Sequence, residues 1–383
     1  MDRPEIILAP GPTPIPPEVY LAQGSPLVYH RGPGFGRMLR EVTEGLQRLY
    51  RTGSDVLIFT SSGTGGLESA VANCFSPGDP VLVPLAGYFA ERFAKIARAY
   101  GLDIHTIDYE WGEAVRAADV GAAMSKAPAK AVLLTQSETS TGVVHDIEAI
   151  ARTAKDAGAM VVVDAVSSLG AVPFDFDGWG IDVAISGSQK ALSASPGLAF
   201  AAISEAAWAA HADAKNPRFY FDWTSYKQSF GLKDPESPWT PAISVVQGLQ
   251  AALRMYYQDG PEAAYARHRL LSRAIKEGIR ALGLDLFGED PERAWTVTAV
   301  RAPEGIDADR ICATVRADDG IILAPGQGPL KGKVFRIGHL GYYERLDMIR
   351  GLAAVELALD KLGYPVKRGA AVAAAEDVFA SAR

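Results

Sequence analysis

The chain has 383 residues, with 38 basic against 45 acidic side chains, a net charge of −7 and two cysteines. That length leaves room for two or three domains and a large core, and the acidic balance argues against general affinity for nucleic acid or an anionic membrane surface. Cys74 and Cys312 form neither a metal spacing nor a disulfide framework, no metal site is expected, and no run of about 18 apolar residues predicts a transmembrane helix.

The opening, MDRPEIILAPGPTPIPP, lacks the apolar core of a signal peptide, so the expectation is a soluble cytoplasmic protein. Four prolines between Pro10 and Pro16 forbid a helix and favour an extended arm. Tyr29 to Gly34 reads as a turn-rich loop. A helix follows over 35–50, with Met38, Val42, Leu46 and Leu49 on one face. Val56 to Phe59 reads as a strand that runs into Thr60-Ser61-Ser62-Gly63-Thr64-Gly65-Gly66 and a helix over 67–74. A strand, a Gly/Ser turn and a helix in that order can cradle an anion on free backbone amides. Val81 to Val83 is the next strand, and its loop carries Gly87-Tyr88-Phe89.

Three later apolar runs share one feature. Ala131 to Thr135 leads into Gln136–Gly142, Met160 to Val163 into Asp164, and Ile181 to Ile185 into Ser186-Gly187-Ser188-Gln189-Lys190. Nearly continuous hydrophobic strands mark a parallel sheet covered on both faces, and such sheets bind ligands beyond their carboxyl ends. A helix over 146–158, with Asp146 as N-cap, links the first of these strands to the second. Thr139, Asp164 and Lys190 are therefore expected to converge on one crevice. A lysine that can form a Schiff base, together with an acid for a pyridinium nitrogen, is the pair that pyridoxal phosphate requires.

Leu198 to Ile203 is predicted as a strand leaving this crevice, 220–241 as a long irregular loop, and 244–257 as a helix bridging to a second unit near Gly260-Pro261. That unit reads as α+β. It has helices around 271–282, 308–315 and 346–362, a strand over 296–300, and a hairpin pairing 321–323 with 334–337. Arg336 stands in an otherwise apolar strand, where its guanidinium fork matches a carboxylate. His339 reads as packing or support for the pocket, and the alanine-rich end over 369–383 as either a docked helix or a loose tail.

The segments APGPTPIP (9–16), SSGTGGLE (61–68), SETSTG (137–142), VVVDAVSSLG (161–170), SGSQKAL (186–192) and FRIGHLG (335–341) resemble class V of the fold-type I pyridoxal-phosphate enzymes. The nearest likeness is to the alanine/serine:glyoxylate (or pyruvate) aminotransferase group. The resemblance implies an α/β fold with a mainly parallel central sheet flanked by helices and a smaller α+β C-terminal domain. It divides the chain into an arm (1–20), a large cofactor-binding domain (21–258) and a small domain (259–383). The cofactor phosphate is implied on Ser62, Gly63, Thr64 and Gln189, with Tyr88 stacked on the ring and Val166 also against the cofactor. Thr139 is implied on the phenolic oxygen, Asp164 on the ring nitrogen and Lys190 on the aldehyde. Arg336 and Gly11 are implied on the substrate. Thr240 is implied near the phosphate of the partner subunit's cofactor, in a homodimer whose active site lies at the interface. One arginine for one carboxylate favours alanine or serine as donor to glyoxylate or pyruvate, with Arg31 as a free candidate for a second carboxylate. The rival readings are an aspartate:2-oxoglutarate aminotransferase and, in another class, a carbon–sulfur lyase or cysteine desulfurase. A histidine at Tyr88 and a cysteine in a loop recognisable as a persulfide carrier would favour the latter, and neither is present.

Overall fold

The computed structural model describes residues 5–382. Its centre is a seven-stranded sheet. In chain order the strands are β1 (Asp55–Thr60), β2 (Pro80–Leu85), β3 (Asp103–Asp108), β4 (Ala131–Thr135), β5 (Met160–Asp164), β6 (Val183–Gly187) and β7 (Leu198–Ile203). They lie side by side as β1-β7-β6-β5-β4-β2-β3. Only β7 runs antiparallel to its neighbours. Every residue of β4, β6 and β7 is buried, which is why these strands read as unbroken apolar runs. β3 is the exception. It is a polar edge strand of alternating exposure, Asp-Ile-His-Thr-Ile-Asp, and it carries no such signal.

Three helices matter to the crevice: α1 (Gly63–Cys74), α2 (Tyr88–Ala99) and α3 (Ile147–Asp156). The Asp146 carboxylate caps α3 by accepting from Ala149 N at 3.2 Å. One set of buried side chains fills the face of the sheet that includes Val56, Ile58, Val161 and Phe200, and another fills the face with Phe59, Val162, Ile185 and Trp223. A further core lies in the C-terminal part, around Ile275, Ile311, Phe335 and Leu352. Leu8 of the extended arm is buried in that last core, and Ile6–Ile7 pairs in parallel with Ile321–Ile322.

Several local expectations change. Residues 220–241 are not wholly irregular, because Trp223–Phe230 is a helix capped by Asp222, with Trp223 and Tyr226 buried beneath Phe59. The hairpin is shifted. Ile321–Ile322 takes the arm as its partner, so it is Ala324–Pro325 that pairs with Val334–Gly338, setting Ala324 opposite Arg336. The alanine-rich end is docked: Ala370–Ser381 is a helix that buries Ala371, Ala375, Val378 and Phe379. Both cysteines are buried and unpaired. Among the described residues no helix is long and apolar enough to cross a membrane, and no group of His, Cys, Asp and Glu is placed to hold a metal ion.

Candidate active site

A cavity of about 340 Å³ opens beyond the carboxyl ends of β1, β5 and β6. Lys190, three residues past β6, lines it together with Asp164, the last residue of β5. The amine and the acid expected to face one ligand therefore share one chamber. The Lys190 amine donates to the Pro10 carbonyl, and the arm is pressed so close that a Cβ on Gly11 would overlap that amine. Gly11 has φ +127, a backbone region open to glycine, so the approach and the turn both require this residue.

Burial raises the Asp164 carboxyl to about 6, while the Val166 N–H that it accepts at 2.9 Å and the charges of Lys190 and Arg92 pull it back. Burial likewise lowers the Lys190 amine to about 8. Asp164 opposes that shift, and Arg336 and Arg92 reinforce it. An amine so lowered keeps a usable neutral fraction at neutral pH, which a nucleophile or proton carrier needs.

Ser62, Gly63, Thr64, Val166, Gln189 and Gly11 all line the same chamber. Gly63 opens α1 against Val166, whose side chain a Cβ at that position would strike. No side chain caps the start of α1, so its first amides are left for a ligand. The side-chain amide oxygen of Gln189, Oε1, is buried without a partner. A neutral-capable lysine, a buried acid and a glycine-built anion cradle together fit pyridoxal phosphate.

Tyr88 does not line the chamber; Phe89 does. The aromatic pair forms the first turn of α2 rather than a loop, and one residue is 100° of rotation on a helix, enough to exchange which ring faces the ligand. Glu138, which the sequence reading passed over, fixes this turn. It is fully buried, and its Oε2 accepts from Phe89 N at 3.0 Å and Ala90 N at 3.2 Å while Oε1 accepts from Ser140 N at 3.2 Å. A carboxylate on free first-turn amides is also favoured by the helix dipole.

Neither Thr139 nor Arg336 is among the residues lining the chamber; Thr139 is buried, and its carbonyl accepts from Arg336 Nη1 at 2.9 Å. Arg336 Nη2 donates to the Pro325 carbonyl at 2.8 Å, while Nε is buried without a partner. Among the described residues no carboxylate forms an ion pair with Arg336. Burial lowers its guanidinium to about 10, with Glu138 holding it up. Arg31 is not free, because it pairs with Glu236 at 2.7 Å. His339 is fully buried between the Trp295 carbonyl and Thr298 Oγ1, each at 2.9 Å. Thr240 is exposed and lies outside the chamber of its own chain.

Residues 18–334 match the family described as aminotransferase class-V. The chain belongs to this family. It is 40% identical to the protein named "Soluble hydrogenase, small subunit" of Synechococcus sp., over 98% of this chain and 99% of that one. It is 38% identical to the L-aspartate–glyoxylate aminotransferase of Paracoccus denitrificans, over 97% of this chain and 96% of the relative. It is 35% identical to the serine–glyoxylate aminotransferase of Arabidopsis thaliana, over 96% and 94%. The crystal structure of ureidoglycine-glyoxylate aminotransferase from Bacillus subtilis superposes with a TM-score of 0.95 at 31% identity, covering 99% of each chain. This class-V aminotransferase therefore has the fold-type I architecture, and the chamber sits where its α/β sheet places a ligand.

Proposed function

We propose that this aminotransferase uses pyridoxal phosphate to move an amino group from a small amino acid, alanine or serine, to glyoxylate. The observation that carries the reading is the chamber shared by Lys190 and Asp164; Arg336 does not line it, but its charge reaches the Lys190 amine and it has no carboxylate of its own. Similarity to serine- and aspartate-glyoxylate aminotransferases supports glyoxylate as acceptor. Pyruvate is the other small oxo acid that Arg336 could hold.

Pyridoxal phosphate, when bound, supplies an aldehyde and an electron-accepting ring. Lys190 Nζ would hold that aldehyde and, freed by the incoming amino acid, would carry the proton from the substrate Cα to the cofactor's aldehyde carbon, and in the opposite direction for the second substrate. Its lowered pKa of about 8 suits both directions of transfer. Asp164 keeps the ring nitrogen protonated: a cation there offsets the burial that otherwise raises the acid to about 6. Phe89 takes the stacking role expected of Tyr88, and Ser62, Gly63, Thr64 and Gln189 receive the phosphate. Val166, in the lining, would pack at the ring, and Thr139 is the residue that the family resemblance assigns to the phenolic oxygen. Gly11 closes the substrate side.

Arg336 grips the α-carboxylate. Arg31, the candidate for a second carboxylate, is tied to Glu236, which favours small donors over aspartate. Neither cysteine suits a persulfide carrier, since burial raises both thiols, Cys312 to about 12 and Cys74 further still.

The reading includes a cytoplasmic homodimer, with the arm 1–20, a large domain 21–258 and a small domain 259–383 as its parts. Exposed Leu27, Tyr29, Phe219 and Leu232 are apolar side chains available to a second subunit, and Thr240 follows Leu232 on the loop after the helix Trp223–Phe230. Mixing the cofactor-loaded enzyme with single amino acids and following loss of the aldehyde absorbance tests the substrate assignment. Alanine or serine should convert it rapidly. Conversion by aspartate or glutamate alone would overturn the donor choice.

A further inference from the structure

Arg92 also lines the chamber, and its chemistry is not explained by its own neighbours. It lies one turn beyond Phe89 on α2, with its guanidinium 4.8 Å from the Phe89 ring centroid and 5.3 Å from that of Tyr88. Its one side-chain hydrogen bond runs from Nη1 to Thr64 Oγ1, at 3.2 Å. Among the described residues no carboxylate forms an ion pair with it. Its charge is felt at both Asp164 and Lys190. An arginine near the Lys190 amine concentrates positive charge in the chamber, which favours an anion there.

The proposed function brings two anions, the cofactor phosphate and the substrate carboxylate, and the two arginines that could meet them stand on different elements. Arg336 comes from the C-terminal strand Val334–Gly338 and is anchored on the Thr139 carbonyl. Arg92 is anchored instead on Thr64, in the uncapped first turn of α1. We propose that Arg92 is a ligand of the cofactor phosphate, completing the α1 cradle with a guanidinium that is oriented by Thr64 and packed against Phe89. A dianion would then meet both the helix amides and a planar fork of donors. Packing on Phe89 couples this grip to the ring-stacking side chain. The proposal rests on the pyridoxal-phosphate reading above and adds to it a residue and a role.

The test compares the phosphorylated cofactor with pyridoxal, which lacks the phosphate. Apoenzyme of the wild type, Arg92→Gln and Arg92→Lys is titrated with each compound, and dissociation constants are read from aldehyde absorbance or protein fluorescence. Arg92→Gln should weaken pyridoxal phosphate by about 10- to 100-fold, the loss of one or two charge-assisted bonds, and leave pyridoxal within about 2-fold. Arg92→Lys should recover part of the loss, because it keeps the charge without the fork. Equal weakening of both compounds would make Arg92 a structural residue and overturn the proposal. Unchanged cofactor affinity, with a raised KM for aspartate, would assign Arg92 to a substrate carboxylate instead. Wild-type apoenzyme that takes up neither compound would refute the aminotransferase reading itself, a distinct outcome.

Discussion

Replacing Arg336 by methionine separates what this residue does for the reaction from what it does for the fold. A guanidinium has five N–H groups, and two serve the carbonyls of Thr139 and Pro325 at 2.9 and 2.8 Å. The Nε–H and one hydrogen on each Nη remain, and Nε has no partner. A neighbouring pair of these can fork onto a carboxylate. Each such bond contributes about 1.5–3 kcal/mol, so losing both should remove about 3–6 kcal/mol of transition-state binding, which is about 100- to 10,000-fold in kcat/KM. Donor and acceptor present the same carboxylate, so both half-reactions should fall by a similar factor. Stability should change little. Two carbonyls lose donors at about 1 kcal/mol each, while a buried cation with no counter-ion is removed. Rapid-mixing kinetics of each half-reaction, with a urea melt of the same preparations, measures both effects. A loss under tenfold in a folded variant, or a loss confined to one half-reaction, would refute the reasoning.

The first turn of α2 gives a paired prediction. Phe89→Ala should weaken pyridoxal phosphate by tenfold or more, through lost stacking and apolar contact, whereas Tyr88→Ala should stay within about threefold; equilibrium dialysis of the cofactor distinguishes them. Lys276 lies outside the chamber, 1% exposed, with its amine donating only to the Ala294 carbonyl at 3.0 Å. Ser272 Oγ donates to the same carbonyl at 2.9 Å, so Lys276→Met leaves that acceptor satisfied. Burial lowers this amine from 10.5 to about 8, which bounds its cost at about 3 kcal/mol. Lys276→Met should therefore stabilise the protein by about 1–3 kcal/mol at pH 7 with activity retained. The unfolded chain holds the proton more tightly, so the wild type should gain stability as pH rises from about 8 to 10.5, and the advantage of the variant should shrink over that window in urea melts.

How far the sequence could be read depended on the range of each interaction. β4, β5 and β7 were legible because strands buried on both faces of a sheet are apolar almost without interruption, and the polar edge strand β3 was not, because half of it faces water. Asp164 and Lys190 were legible because each follows such a strand, and strand ends of one parallel sheet face one crevice. The direction of Tyr88 and Phe89 was not, since it depends on whether the turn is loop or helix, and that is settled by Glu138, about fifty residues away in sequence. Arg92 was missed for the same reason: without the helix, its spacing from Phe89 carries no meaning. Arg31 looked free because its partner, Glu236, sits across more than two hundred residues of sequence. The pairing of Ile321–Ile322 with the arm was hidden likewise, as a two-residue contact between distant ends of the chain.

The central claim is that one particular amine holds the cofactor. Borohydride reduction of the loaded enzyme, followed by protease digestion and mass spectrometry, fixes the pyridoxyl group on whichever lysine carries it. The account predicts modification at Lys190 and its loss in Lys190→Ala. A label on Lys276, the other buried lysine with a lowered pKa of about 8, or on no lysine at all, would contradict it.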